Sequence, residues 1–304
     1  MTNMNKNDVK WKGCFVAVVT PFNKKGEIDE KAFQKNIKFL IKDGVDGIVI
    51  SGCTGESWAL EEEEKIKLYH LGSAVAKGKC TVIAGTPGLF PAEILRLSKG
   101  AAEAGCDGIM VQPPACSLPN EKEVFAFFEE VDQGVSLPIM AYNIPRRNGV
   151  SMSPEFIAHL ATINHIVAVK QSSSQFDEII ETIALAGSKL KVFSGYSAKW
   201  GFPITLMGAD GFVTSTEPQI FGKMGVDLWT LSAEGKINEA RDLQFKIFKL
   251  NKYIWKSRGT FPATIKGAMN LLGRPGGYTR LPIKPLGSED VENIKRFFVE
   301  MGLL

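Results

Sequence analysis

Eight short apolar segments alternate with amphipathic segments from residue 15 to about residue 230, and this alternation most constrains the fold. The apolar segments are rich in Val and Ile and show no alternation of polar and apolar residues. Such runs are typical of parallel strands that are buried on both faces. We predict strands near Phe15–Val19, Gly47–Ile50, Thr81–Ala84, Gly108–Val111, Pro138–Ala141, Ile166–Val169, Val192–Phe193 and Gly211–Val213.

The segments between the strands have the periodicity of amphipathic helices. Glu30–Lys42 places its apolar side chains on one face. Glu61–Lys77 begins with four glutamates, which suit the positive end of a helix dipole. A further helix is predicted to begin near Pro154, after the N-cap candidate Ser153. The dipeptide Asp-Gly recurs where strands begin, at Asp46, Asp107 and Asp210.

Eight strand–helix units in about 225 residues predict a closed (β/α)8 TIM barrel. An open doubly wound sheet is the alternative, but no Gly-x-Gly-x-x-Gly motif follows the first strand. We predict one domain over residues 1–304, with the barrel in 13–230 and a C-terminal helical extension in 231–304. Helical segments are predicted in the extension at Ala233–Tyr253, Pro262–Leu272 and Ser288–Met301.

The composition argues against several classes of function. A formal net charge of +3 over 304 residues is too weak to predict nucleic acid or a membrane surface as a partner. No apolar run approaches the roughly 20 residues that a bilayer span needs, and the polar segment 1–12 does not resemble a signal peptide. Five cysteines without a CxxC pair and three histidines predict free thiols, a cytoplasmic location and no metal site.

Two polar residues at the ends of neighbouring strands point to imine chemistry. Lys170 closes the sixth apolar run, where burial would lower the pKa of its amine and free it to attack a ketone. Tyr142 follows the fifth run. The alternative is a lysine whose stem packs while its ammonium group reaches solvent. Active sites of barrels lie at these strand ends, so the pair is a candidate Schiff-base site.

The loop after the second strand, Gly52-Cys53-Thr54-Gly55, is a candidate for binding a carboxylate. Its backbone N–H groups and the Thr54 hydroxyl are suitable donors. The alternative reading of this loop is a plain tight turn.

Several of these motifs together carry a family resemblance. The chain resembles the pyruvate-dependent Schiff-base aldolases and lyases, the family of dihydrodipicolinate synthase and N-acetylneuraminate lyase. The likeness extends over nearly the whole chain. It rests on Gly52-Cys53-Thr54-Gly55-Glu56, Tyr142-Asn143-Ile144-Pro145, Lys170 and Gly208-Ala209-Asp210-Gly211.

The resemblance implies roles for individual residues. Lys170 would form the imine with a 2-keto acid such as pyruvate, Tyr142 would relay protons, and Thr54 would hold the keto-acid carboxylate. It further implies that no cofactor is needed beyond this covalent imine, that a small aldehyde is the second substrate, and that the protein is a homotetramer, a dimer of dimers. The other candidate site residues are Cys53, Arg147, Ser172, Gly195, Val213 and Ser215.

Two positions depart from the family pattern. Cys53 stands where the family usually has Thr or Ser, and a thiol is a weaker hydrogen-bonding group. Pro114-Ala115 stands where the family usually has a Tyr-Tyr pair. The hydroxyl relay of the family is therefore altered at Cys53 and Ala115.

The residues that indicate the substrate divide between two subfamilies. Arg147 matches the arginine with which the synthases hold a second carboxylate, although a solvated loop arginine is the alternative. Arg280-Leu281-Pro282 is also synthase-like, whereas Ser172 and Ser215-Thr216 are closer to the neuraminate lyases. Those lyases place acidic residues where this chain has Ser197-Ala198.

We therefore predict a Schiff-base lyase that acts on pyruvate or a pyruvate-releasing 2-keto acid, synthase-like, with a carboxylate-bearing partner substrate. The alternatives are a neuraminate lyase-like enzyme or a 2-keto-3-deoxy sugar-acid aldolase or dehydratase. A non-catalytic protein that binds keto acids is a further alternative.

Overall fold

In the computed structural model, which describes residues 4–255 and 260–304, eight parallel strands pair in chain order and the last pairs with the first. The sheet is therefore a closed barrel, and the predicted (β/α)8 fold is confirmed. The first three residues of the predicted polar N-terminal segment lie outside the described residues. The strands are β1 (Gly13–Ala17), β2 (Gly47–Ile50), β3 (Thr81–Gly85), β4 (Gly108–Val111), β5 (Ile139–Asn143), β6 (Ile166–Gln171), β7 (Lys191–Ser194) and β8 (Gly211–Thr214).

Helices follow the strands and continue into the C-terminal extension. The predicted N-cap Ser153 accepts a hydrogen bond from the backbone N–H of Phe156 at 3.1 Å. Glu61 and Glu64 form a capping box at the glutamate-rich helix start. The helices are α1 (Glu30–Asp43), α2 (Glu62–Ala76), α3 (Pro91–Glu103), α4 (Glu121–Gly134), α5 (Pro145–Asn148), α6 (Pro154–Leu160), α7 (Phe176–Ala186), α8 (Ser197–Leu206), α9 (Glu217–Phe221), α10 (Met224–Ala233), α11 (Ile237–Ile254), α12 (Phe261–Leu271) and α13 (Ser288–Glu300).

The long helix of the predicted extension begins later than predicted. The segment predicted as one helix from Ala233 begins at Ile237, because Gly235 adopts a left-handed φ of 70° and separates α10 from α11. Residue 231, the predicted start of the extension, therefore lies inside α10.

The recurring Asp-Gly dipeptides close the end of the barrel where the strands begin. Asp46, Asp107 and Asp210 each accept a backbone hydrogen bond from a neighbouring strand at 2.8–3.0 Å. The glycines that follow allow close packing: a Cβ on Gly211 would lie 2.2 Å from the carbonyl oxygen of Gly13. These contacts hold the strands together at this end of the barrel. The candidate site lies at the opposite end, where the strands finish.

The core has an inner and an outer layer. Large side chains such as Phe15, Met110, Met140 and Phe193 fill the barrel interior, while the outer faces of the strands pack against the helices. The C-terminal helices form a further cluster that includes Val19. Among the described residues, no helix combines the length and the apolar character that a membrane crossing requires.

Candidate active site

The carboxyl ends of the strands open into a cavity of about 980 Å³. The structure places all nine predicted site residues in its wall, whereas Ala115 does not line it. The nine are Cys53, Thr54, Tyr142, Arg147, Lys170, Ser172, Gly195, Val213 and Ser215.

Lys170 and Tyr142 lie opposite each other on adjacent strands. They are register partners in β6 and β5, and therefore belong to the strands themselves rather than to the loops that follow. Lys170 Nζ lies 4.2 Å from the centre of the Tyr142 ring. The two residues are only 6 % and 5 % exposed, so the sheet holds the amine and the phenol in fixed positions.

The two side chains are shifted toward their neutral forms. Burial lowers the pKa of Lys170 to about 8, and the positive charge of Arg147 acts in the same direction, while Cys53 opposes it. Burial raises the pKa of the Tyr142 phenol well above its usual value. Relative to an ordinary lysine, a pKa of about 8 gives roughly 300-fold more free amine at pH 7.

The turn that presents Thr54 has a constrained backbone. Cys53–Gly55 forms one turn of 3-10 helix, and it lies between Ser51 and Glu56, whose φ values of 55° and 56° are left-handed. Non-glycine residues keep this conformation only where the surroundings enforce it, and such strain is frequent at functional sites. The Thr20 hydroxyl donates to the carbonyl oxygen of Gly55 at 2.8 Å and helps to hold the turn.

A buried ion pair attaches this turn to the C-terminal extension. The Glu56 carboxylate contacts the ammonium group of Lys266 on α12, and it also accepts the backbone N–H of Arg280 at 3.1 Å. Burial lowers the pKa of Lys266 to about 8. The position of Thr54 therefore depends on packing against the extension.

Gly195 and Ser172 are in very close contact beside Lys170. A Cβ on Gly195 would stand 1.9 Å from Ser172 Oγ and 3.5 Å from Lys170 Cε. Ser172 is 5 % exposed, and its hydroxyl interacts with the Tyr142 phenol, which partly opposes the rise in the phenol pKa. Both residues line the cavity, so this pair of hydroxyl groups can interact with a ligand.

The Arg147 guanidinium lies between two aromatic rings. Its Cζ is 5.6 Å from the centre of the Trp58 ring and 5.3 Å from that of Phe261. No carboxylate pairs with it among residues 4–255 and 260–304. The rings orient the guanidinium and leave its donors available to an anion.

Four further residues of the wall were not identifiable from the sequence. Trp58 and Phe261 flank Arg147, while Glu217 and Asn251 form a buried polar contact after β8. Phe261 and Asn251 come from the extension, and only tertiary packing brings them to the cavity. For Glu217, the available signal is its place close after the eighth strand.

Metal-binding groups were not predicted from the sequence. Within the described ranges, no cluster of three or more His, Cys, Asp or Glu side chains has an arrangement that could hold a metal ion.

Known proteins resemble this chain over most of its length. A family model described as the dihydrodipicolinate synthetase family matches residues 10–300. The 4-hydroxy-tetrahydrodipicolinate synthase of Heliobacterium modesticaldum is 34 % identical over 94 % of both chains. The solved dihydrodipicolinate synthase from Aquifex aeolicus has a TM-score of 0.90 at 31 % identity and covers 96 % of this chain and 99 % of its own. A prophage protein of the same synthase family from E. coli K12, solved in complex with pyruvate, has a TM-score of 0.92 at 26 % identity and covers 97 % of this chain and 100 % of its own.

Proposed function

Because the chain belongs to the dihydrodipicolinate synthetase family and is thus a pyruvate-dependent Schiff-base aldolase, we propose that Lys170 forms its imine. The observation that carries this assignment is the buried Lys170 amine, 4.2 Å from the centre of the Tyr142 ring. Its pKa of about 8 supplies free amine near neutral pH.

The reaction begins when the Lys170 amine attacks C2 of pyruvate and water leaves, which forms the imine. Loss of a C3 proton converts the imine to an enamine, whose C3 attacks the carbonyl carbon of the aldehyde. Hydrolysis then releases the product and restores the amine. Tyr142 lies beside the Lys170 amine and keeps its proton because of its raised pKa, so it is suited to donate that proton and take it back.

The pyruvate carboxylate is held by the Thr54 hydroxyl and the backbone N–H groups of its turn. The Ser172 hydroxyl, which interacts with the Tyr142 phenol, supplies a further donor or acceptor. Gly195, Val213 and Ser215 line the remaining wall, and the absent side chain of Gly195 leaves room beside Lys170.

The proton relay is shorter than that of the family pattern. Cys53 offers only a thiol at one relay position, and Ala115 lies outside the cavity wall. Tyr142 then exchanges protons with the substrate or with water, without a chain of hydroxyl groups.

The second substrate is a small aldehyde that bears an anionic group, as in the synthases. Arg147 supplies a planar fork for two parallel hydrogen bonds to a carboxylate. The alternative is a sugar-acid aldolase or dehydratase. The cavity of about 980 Å³ favours it, because pyruvate alone leaves most of that space for a longer partner.

The protein needs no cofactor beyond the imine, acts in the cytoplasm and assembles as a homotetramer. Exposed apolar residues support assembly: Leu89, Phe90 and Leu118 are 56 %, 51 % and 61 % exposed on the loops after β3 and β4. Analytical ultracentrifugation tests the tetramer, and a monomer at micromolar concentration would contradict it.

Borohydride reduction with pyruvate tests the imine. The adduct should appear at Lys170 in the wild type and be absent in Lys170→Ala. Lys199→Ala is the matched control, because Lys199 lines the same cavity but is exposed, and it should retain the adduct. Labelling at Lys199 would contradict the assignment. A protein that only bound keto acids would form no adduct.

A further inference from the structure

The cavity wall contains a buried carboxyl group that the proposed imine chemistry does not use. Glu217 is 1 % exposed and opens α9 three residues after β8. Its Oε2 accepts a hydrogen bond from the Thr214 hydroxyl, and its Oε1 lies 3.4 Å from the amide nitrogen of Asn251. All three residues line the same cavity as Lys170.

No cation balances Glu217 within the described ranges. Its hydrogen-bonding neighbours, Thr214, Ser197 and Asn251, are all neutral. Burial raises the pKa of the Glu217 carboxyl, and the hydrogen bonds from Thr214 and Ser197 only partly oppose this. A protonated carboxyl can both donate and accept a hydrogen bond.

The chemistry of this cluster favours a hydroxyl group as its ligand. A hydroxyl both donates and accepts, so it can donate to a Glu217 carboxyl oxygen and accept from the Asn251 amide on the same wall. An anionic group would supply acceptors only and would be repelled if Glu217 ionised. Anions are better served elsewhere in the wall, where the Arg147 guanidinium has no carboxylate partner among the described residues.

We propose that Glu217, Thr214 and Asn251 form a hydroxyl-binding subsite that selects an aldehyde with a hydroxyl group beyond its reacting carbon. This rests on the proposed function, because the aldehyde meets its partner only as the imine at Lys170. The subsite narrows the second substrate from small anionic aldehydes to those that also carry a hydroxyl group.

Two aldehydes of equal carbon number test the subsite. The readout is the ratio of kcat/KM for glyceraldehyde to kcat/KM for propanal, each with saturating pyruvate. The wild type should prefer glyceraldehyde, and Glu217→Leu should lower the ratio about tenfold through lost hydrogen bonds. Glu217→Gln, which keeps a polar group of the same shape, should keep the ratio within about threefold. Glu178→Gln, on α7 and outside the cavity wall, is the matched control and should not change it.

A second variant tests the subsite even if Glu217→Leu fails to fold. Thr214→Val preserves the shape of the side chain, removes the hydroxyl next to Glu217 and should also lower the ratio. An unchanged ratio in Thr214→Val and in any folded Glu217→Leu, with pyruvate still trapped at Lys170, would overturn the subsite alone. No trapped adduct in the wild type would overturn the proposed function and the subsite with it.

Discussion

The Lys266 ammonium group contacts the Glu56 carboxylate, and the two side chains are only 2 % and 0 % exposed. Glu56 immediately follows the turn that presents Thr54, whereas Lys266 belongs to α12. The pair thus couples the carboxylate-binding turn of the proposed site to the C-terminal extension.

Removing Lys266 should therefore cost much of the stability of the fold. Lys266→Met leaves the Glu56 carboxylate buried without its partner, and the free energy of unfolding should fall by about 3–5 kcal/mol. Denaturant titration measures this loss. Lys67→Met, which breaks the exposed pair with Glu30, is the control and should leave the stability almost unchanged. Equal losses in the two variants would argue against a special role for the buried pair.

The pH dependence of imine formation should reflect the lowered pKa of Lys170. Only the free amine attacks, so kcat/KM for pyruvate should rise about tenfold per pH unit below pH 8 and level off above it. Arg147→Ala should shift this limb to higher pH, because the positive charge of Arg147 lowers the pKa of Lys170. A limb near the ordinary value of 10.5 would contradict the lowered pKa of Lys170.

Gly195 should not tolerate even one added carbon. Gly195→Ala places Cβ 1.9 Å from Ser172 Oγ, so the Ser172 side chain must shift beside Lys170. We expect at least a tenfold loss in the rate of borohydride trapping. Gly52→Ala is the matched control in the same cavity, since its Cβ would meet Met110 at an ordinary 3.5 Å. Similar trapping rates in both variants would contradict the close contact.

Cys53 should react with a thiol reagent, and pyruvate should block this reaction. Cys116 is exposed and would react as well, so the experiment uses a Cys116→Ser background. Iodoacetamide should then inactivate the protein, with protection by pyruvate, because Cys53 lines the cavity with Lys170. Cys53→Thr should resist the reagent and keep or raise the aldol activity. Modification of Cys53 without loss of rate would place the thiol outside the reacting region.

Removing the Arg147 side chain should lower kcat/KM for the aldehyde more than it lowers the rate of imine formation with pyruvate. With an anionic aldehyde, Arg147→Ala removes a charged hydrogen-bonding partner worth about 1.5–3 kcal/mol, or about 10- to 150-fold in kcat/KM. Arg147→Lys should recover only part of this, since it lacks the planar fork. Arg146→Ala is the comparison, because Arg146 also lines the cavity. Equal losses in Arg146→Ala and Arg147→Ala would indicate a general effect of positive charge.

The barrel and the family were predictable because their signals are local. Buried parallel strands are short apolar runs, and the residues at their ends follow directly, which identified Lys170 and Tyr142 as candidates. The barrel and the family are confirmed, while the roles of the site residues stay predictions. Sequence periodicity shows only that α11 has an apolar face; it does not show that Asn251 reaches the cavity.

The environment of individual side chains was harder to predict than their position. Arg147 follows β5 as expected, but the rings that flank it come from residues 58 and 261, which are far apart in the chain. Glu217 is a polar residue at a helix start, where an exposed carboxylate is the usual outcome. Its burial follows from the packing of α9 against α10, α12 and α1, which no local pattern reports.

Lys170 and Tyr142 are register partners on two strands, whereas the residues proposed to recognise the second substrate lie after strands. Both reactive groups are carried by hydrogen-bonded strands, whereas Arg147, Ser197 and Glu217 belong to the connections that follow strands. Substitutions in those connections alter recognition and leave the amine and phenol in place. A library randomised at these three wall positions should therefore yield aldolases with new acceptors, because every member keeps Lys170 and Tyr142 on the strands.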